Sequence, residues 1–263
     1  MIVAGLQIAA ALYLVAGLAA WLGVLLRATR ITRASVGLLV AAAAVHGFTF
    51  VGFHFESSPP PLSDLPAAVS LMSWIAALAL LVFLRRARLT ALIGLVAPAA
   101  FVGSFFAALR FPHSPTEPLV GTASSWPHLH VILASTGLAL LGLACGAGFA
   151  FLAVDRALKR RRPVRSRWPS LEALDRVNRA TLGLGFLLLS LGVVTGMLWV
   201  DSETGSVWTG TPHETWSALA WAVYAVLFAV RFGGRQRGRR AALAAVAGFV
   251  FLFFAVIGVG LLA

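Results

Sequence analysis

Histidine and tryptophan hold most of the chemistry open to this chain. It has six histidines, His46, His54, His113, His128, His130 and His213, and four of its tryptophans, Trp126, Trp199, Trp208 and Trp216, lie near some of them in sequence. Imidazole is the usual axial ligand of haem iron. Indole offers a flat apolar face for a porphyrin and an N–H for a polar edge. Other chemistry is poorly supplied. Acidic residues number only 9, and no Ser–His–Asp or GxSxG pattern is present, so we read no independent catalytic activity. The single cysteine, Cys145, permits no disulfide within the chain, and without a CxxCH motif the chain is not itself a c-type cytochrome.

The histidines are not equivalent. His46 lies deep in the apolar stretch AAAAVHGFTFVGFHF. An ionisable side chain buried in a membrane is a functional hypothesis by default, and the plain alternative is a neutral imidazole bonded to a neighbouring helix. His54 follows eight residues later, about 80° around and 12 Å along a helix, so it lies near the same face at another depth. The pair serves two sites or one pathway, not both axial positions of one haem. Phe50 and Phe53 fall between them as walls of an apolar pocket. His128 and His130 are two apart and point to nearly opposite sides of a helix. His130 is the deeper one and the better ligand. The expected metal ligands are His46 and His130, with Trp199, Trp208, Trp216, His54 and His128 as further cofactor contacts. An interfacial aromatic belt is the plain reading of the tryptophans.

These residues must be carried by membrane-spanning helices. The chain is 60% hydrophobic and 11% charged, against about 25% charged in soluble domains. A span needs about 20 apolar residues. Such stretches fall at 3–26, 34–54, 65–84, 89–109, 127–154, 179–200, 214–231 and 241–262. The expectation is therefore an all-α polytopic membrane protein of eight helices, a single domain over 1–263, with the first stretch kept as a span and not removed as a signal peptide.

All but Arg110 of the 21 cationic residues fall in four segments: Arg27–Arg33, Arg85–Arg88, Arg156–Arg179 and Arg231–Arg240. Lys and Arg accumulate in cytoplasmic loops, so this pattern puts both termini outside and all six histidines in the outer half. The net charge of +12 is spread over membrane-flanking loops. Its partner is the anionic leaflet of the lipid bilayer, not nucleic acid. Ser170 can cap a helix starting at Leu171, with Glu172 in the first turn. Small residues Ser135, Ala139, Gly142, Gly146 and Ala150, and Gly192 with Gly196, read as close helix packing without chemistry.

Three stretches resemble the cytochrome c assembly family, in particular its eight-span CcsA/HemX-like branch. The first is Trp126-Pro127-His128-Leu129-His130, leading into the small-residue span. The second runs from Ser170 to Asn178, followed by Gly185, Gly192, Gly196 and Trp199. The third is Pro212-His213-Glu214-Thr215-Trp216, with Gly238-Arg239-Arg240-Ala241 further on. His46 and the Ser70–Trp74 stretch also fit, and the likeness covers most of the chain.

The resemblance implies a haem-handling protein of the bacterial cytoplasmic (inner) membrane, working in cytochrome c biogenesis with non-covalent haem b and a second membrane protein as partners. The family's tryptophan-rich outer loop is altered here. Thr204 and Gly210 stand where the family has tryptophan, Thr211 where it has aspartate, and His213 where it has lysine. The final span also lacks a histidine. These departures favour the HemX-like branch. The alternative function is a non-catalytic regulator or assembly partner of haem biosynthesis, with Arg156–Arg167 as its docking segment. A transporter ranks low, because no internal repeat is present and the spans are nearly free of charge.

Overall fold

The computed structural model describes residues 2–53, 65–84, 89–110, 126–160 and 168–262. His54, His113 and residues 161–167, most of the expected docking segment, lie outside the described residues. The described elements are helical: α1 (Ile2–Leu25), α2 (Thr29–Phe53), α3 (Leu65–Leu84), a 3-10 turn (Thr90–Leu92), α4 (Ile93–Arg110), α5 (Trp126–Lys159), α6 (Leu171–Thr204), α7 (Pro212–Phe232) and α8 (Arg239–Leu262). No strand occurs among the described residues. A helix satisfies its own backbone hydrogen bonds, as hydrocarbon demands. Among the described residues seven helices, α1 to α7, are long and apolar enough to cross a membrane.

The helices form two compact units, 1–124 with 165–169 and 125–164 with 170–263. In the first unit, α1 lies along α2 and α4, and α3 lies against α4. The buried face of α1 is Leu6, Ala9, Ala10, Tyr13, Ala16 and Ala20, spaced by three and four, so one stripe of a 3.6-residue helix is covered.

In the second unit, α5 and α6 form the largest seam, and α8 packs on both α5 and α7. Its interior is Leu141, Ala144, Leu182, Leu189, Tyr224 and Leu252. Of the expected small-residue stripe, Ser135, Ala139 and Ala150 are buried. Gly142 faces Phe249 of α8, and Gly146 has open space beside it. Along the α5–α6 seam the tightest backbone approach is at Gly137, where a Cβ would sit 2.7 Å from the Leu189 backbone nitrogen, so only glycine lets the two backbones meet.

Helices α5 and α6 have 34 residues each, about 51 Å at 1.5 Å per residue, against a hydrocarbon core of about 30 Å. They outrun the spans expected at 127–154 and 179–200, because polar residues at their ends sustain helix in water. The Asp155–Lys159 pair and the Glu172–Arg176 pair, each 2.8 Å at i,i+4, lie on these extensions. The Ser170 cap is as expected: its hydroxyl accepts from the Ala173 N–H at 3.2 Å. In the last turn of α7, Arg231 is buried, and its guanidinium donates to the Asp175 carboxylate at 3.0 Å and to the Gln236 carbonyl at 2.6 Å.

Candidate functional site

In the first unit His46 is 0% exposed. Its Nε2 pairs with the Ser70 hydroxyl at 2.8 Å, and its Nδ1 faces the Tyr13 hydroxyl at 3.4 Å. The Phe50 ring stacks on it at 5.3 Å with planes 10° apart, and Trp74 packs against Phe50 at 5.6 Å. Trp74 is itself held by donating to the Ala43 carbonyl at 2.8 Å. Phe50 thus fills the space beside the imidazole, while the Phe53 side chain lies outside the described residues. Both ring nitrogens of His46 already have hydroxyl partners. Ligation of a metal through Nε2 requires Ser70 to give up its bond first.

The second unit holds His130 differently. Its Nδ1 lies 2.8 Å from the Gly192 carbonyl, 62 residues away on α6. A carbonyl only accepts, so Nδ1 carries the proton and donates, and Nε2 carries the lone pair. That tautomer is the one a metal-ligating histidine adopts when a backbone carbonyl orients it. The seat is shaped by Gly196, where a Cβ would lie 2.8 Å from Nδ1 and 2.9 Å from Cε1. Trp199, one turn along α6, has its ring 6.0 Å from the imidazole at 48°. Buried Thr195 donates to the same stretch of backbone, with Oγ1 2.9 Å from the Gly192 carbonyl. His128, two residues earlier, is exposed, as its spacing from His130 requires.

Between α6 and α7 the chain is ordered by short polar bonds. The end of α6 closes on Gly205, with φ of 71° and its N–H donating to the Asp201 carbonyl at 2.8 Å. Thr204 Oγ1 donates to the Val200 carbonyl at 2.8 Å and accepts from the Ser206 N–H at 3.3 Å. The Ser206 hydroxyl donates to the Trp208 carbonyl at 2.9 Å, leaving the Trp208 side chain exposed. Thr211 caps α7, accepting from the Glu214 N–H at 3.3 Å, with Pro212 in the first turn.

Glu214 reaches back to the N–H groups of Thr209 at 2.8 Å and Gly210 at 2.9 Å, and to the Thr209 hydroxyl. This extends the capping box by a turn of loop. Gly210 has φ of 75°, where tryptophan would be strained. Three of the altered loop positions therefore have local structural roles: Thr204 closes a helix end, Gly210 makes a left-handed turn, and Thr211 caps as aspartate can. Glu214→Gln is expected to speed hydrogen–deuterium exchange across 205–211, because the charge that gathers three donors is lost. The melting temperature should not move, since the carboxylate is at the surface. An unchanged exchange rate would show that the loop does not rely on Glu214.

Among the described residues no cluster of three or more metal-ligating side chains exists, so any iron here has to rely on isolated imidazoles and the porphyrin's own nitrogens. His130 fits that requirement as placed, with an oriented ring, an available Nε2 and an indole beside it. By spacing alone Gly192 and Gly196 read as helix packing. The carbonyl and the missing Cβ that seat His130 belong to those two residues.

Residues 62–263 match the family model described as cytochrome C assembly protein. The chain is 31% identical over 238 residues to the cytochrome c biogenesis protein CcsA of Prochlorococcus marinus (strain MIT 9313), an overlap of 79% of this chain and 75% of that protein. It is 27% identical over 209 residues to the CcsA of Chlamydomonas reinhardtii, covering 77% of this chain and 58% of that one. Among solved structures it is similar to cytochrome c haem lyase CcmF, with a TM-score of 0.71 and 19% identity, covering 98% of this chain. The chain spans about half of that structure, 49%, and the likeness is one of fold. These relatives lend the HemX-like alternative no support.

Proposed function

Because the chain belongs to the cytochrome c assembly protein family, we propose that it is a haem-binding membrane protein of cytochrome c biogenesis, with His130 as an iron ligand. The observation that carries the proposal is the His130–Gly192 hydrogen bond, which leaves Nε2 as the lone-pair nitrogen. Trp199 would border a bound porphyrin, and Trp208 and Trp216, from the α6–α7 loop and the first turns of α7, would supply further indole surface for it. His46, in the first unit, is a further candidate ligand and would serve only after Ser70 releases it. His54 and His128 are lesser contacts.

Bound non-covalently as haem b, the group supplies an iron centre and a vinyl-bearing porphyrin for delivery to an apocytochrome. The chain's residues orient the ring, shield its apolar face and hold the ligand tautomer. In the bilayer this reading places α8 as an eighth span and both termini outside, by the same distribution of cations read from the sequence. It puts the protein in a bacterial cytoplasmic membrane beside a second membrane protein of the assembly system.

Detergent-purified protein, as isolated or after hemin addition, should show a Soret band. His130→Ala removes the ligand itself and should weaken haem affinity by at least the roughly 10–100-fold that loss of an orienting partner costs a metal site. Ser70→Ala should leave the spectrum intact or strengthen a His46 signature, because it removes the competing bond. Protein that takes up no haem, or whose spectrum ignores His130→Ala, would overturn the proposal.

A further inference from the structure

Thr195 differs from three other hydroxyl residues of the second unit's helices in where its proton can go. Thr136, Thr181 and Ser190 donate to the carbonyl four residues earlier, at 2.6, 2.8 and 2.8 Å. For Thr181 the carbonyl three residues earlier is clearly further away, at 3.4 Å. Thr195 Oγ1 is 2.9 Å from the Leu191 carbonyl and 2.9 Å from the Gly192 carbonyl. It is 7% exposed, so water does not compete for it. One hydroxyl has one proton and serves one carbonyl at a time.

The second of those carbonyls is the one that accepts from His130 Nδ1. Gly192 O therefore meets the His130 N–H, the Thr195 hydroxyl and, by helix geometry, the backbone N–H four residues on. It has two lone pairs for three donors. When the Thr195 proton turns to Gly192, the acceptor is shared and the imidazole bond weakens. When it turns to Leu191, His130 gains the carbonyl. A stronger Nδ1–H bond pushes electron density to Nε2 and makes it a better donor to a metal, above all to the more highly charged ferric iron.

We propose that Thr195 is a positioning residue that sets the ligand strength of His130 through the shared Gly192 carbonyl. The inference rests on His130 being the haem ligand, and it adds a residue that acts through the shared carbonyl and not as a ligand.

The test uses the full chain in detergent, loaded with hemin, and reads the visible spectrum and the haem midpoint potential of four variants beside the parent. Thr195→Val removes the competing donor while keeping the branched shape. The potential should fall, with a severalfold higher ferric-to-ferrous ratio at fixed applied potential. Thr195→Ala should move it the same way, and it stands in if the valine variant melts early. Thr195→Ser keeps the hydroxyl and should restore the parent value, which a purely steric role for Thr195 would not predict. His130→Ala is the reference. If it abolishes the spectrum and the Thr195 variants leave the potential unchanged, the Thr195 proposal falls and the haem reading stands. If the spectrum is indifferent to His130→Ala, both fall together.

Discussion

Gly196→Ala is expected to take His130 off its carbonyl. The added methyl would lie inside contact distance of both Nδ1 and Cε1, at 2.8 and 2.9 Å. The α6 backbone cannot retreat cheaply, because Gly192 one turn away already lies against α5, where a Cβ would be 3.0 Å from the Ala134 nitrogen. The ring has to turn, and the Gly192 bond is then lost. An N–H left unpaired in an apolar seat costs about 1–3 kcal/mol. The ring would also lose the geometry that presents Nε2, so haem affinity should drop by about 10–100-fold, as for a lost orienting partner.

Gly146→Ala is the control. Nothing among the described residues lies within 4 Å of a Cβ there, and alanine favours helix over glycine by up to about 1 kcal/mol. It should bind haem as the parent does and melt no lower. Hemin titration and thermal melting of the two variants decide the matter. Equal haem affinity in Gly196→Ala and Gly146→Ala would show that the imidazole finds another seat.

The pattern of cations and apolar runs made the helical membrane architecture readable before any coordinates, because hydrocarbon admits few alternatives. Helix ends were less legible. A hydropathy reading stops where charge begins, whereas α5 and α6 continue through charged residues that pair along the helix, Asp155 with Lys159 and Glu172 with Arg176. At the site, depth and spacing alone separated His130 from His128. The partners of His130 were beyond reach of sequence, since a backbone carbonyl is identical in every residue and Gly192 is 62 positions away.

Glycine in a membrane helix reads as packing, and at Gly137 that reading suffices. At Gly196 the same missing Cβ makes room for a ring. His46 shows the reverse limit. Its depth marked it as significant, but depth does not reveal that a serine 24 positions on already bonds Nε2. In sequence the stretch from Thr204 to Glu214 reads through the tryptophans and aspartate it lacks, whereas its cap, turn and carboxylate hub follow from the threonines, glycine and glutamate it has.

Asp175→Ala should be the most destabilising single change in the second unit. The Arg231 side chain is 3% exposed, and its Nη2 donates to both the Asp175 carboxylate at 3.0 Å and the Asp175 carbonyl at 3.2 Å. The same carboxylate oxygen accepts from the Gly238 N–H at 3.0 Å, so one aspartate of α6 fixes the end of α7 and the turn into α8. Arg231 Nε has no partner among the described residues, so when the carboxylate goes only the backbone carbonyls of Gln236 and Asp175 still face the guanidinium, and neither offsets its charge.

An arginine is not neutralised by deprotonation, so removing its partner strands a full charge in a buried place, a loss of about 3–5 kcal/mol. For a unit of this size that corresponds to a melting temperature lower by roughly 10 °C. The double change Asp175→Ala with Arg231→Met removes the stranded charge as well. It should recover most of the loss, because a buried ion pair replaced by apolar groups is often neutral. A melting temperature unmoved by Asp175→Ala, or a double variant no better than the single, would mean that water reaches Arg231 in the folded protein and that the ion pair ties nothing together. Hydrogen–deuterium exchange over 233–238 separates the two outcomes, since only a turn anchored by Asp175 loosens when that residue is removed.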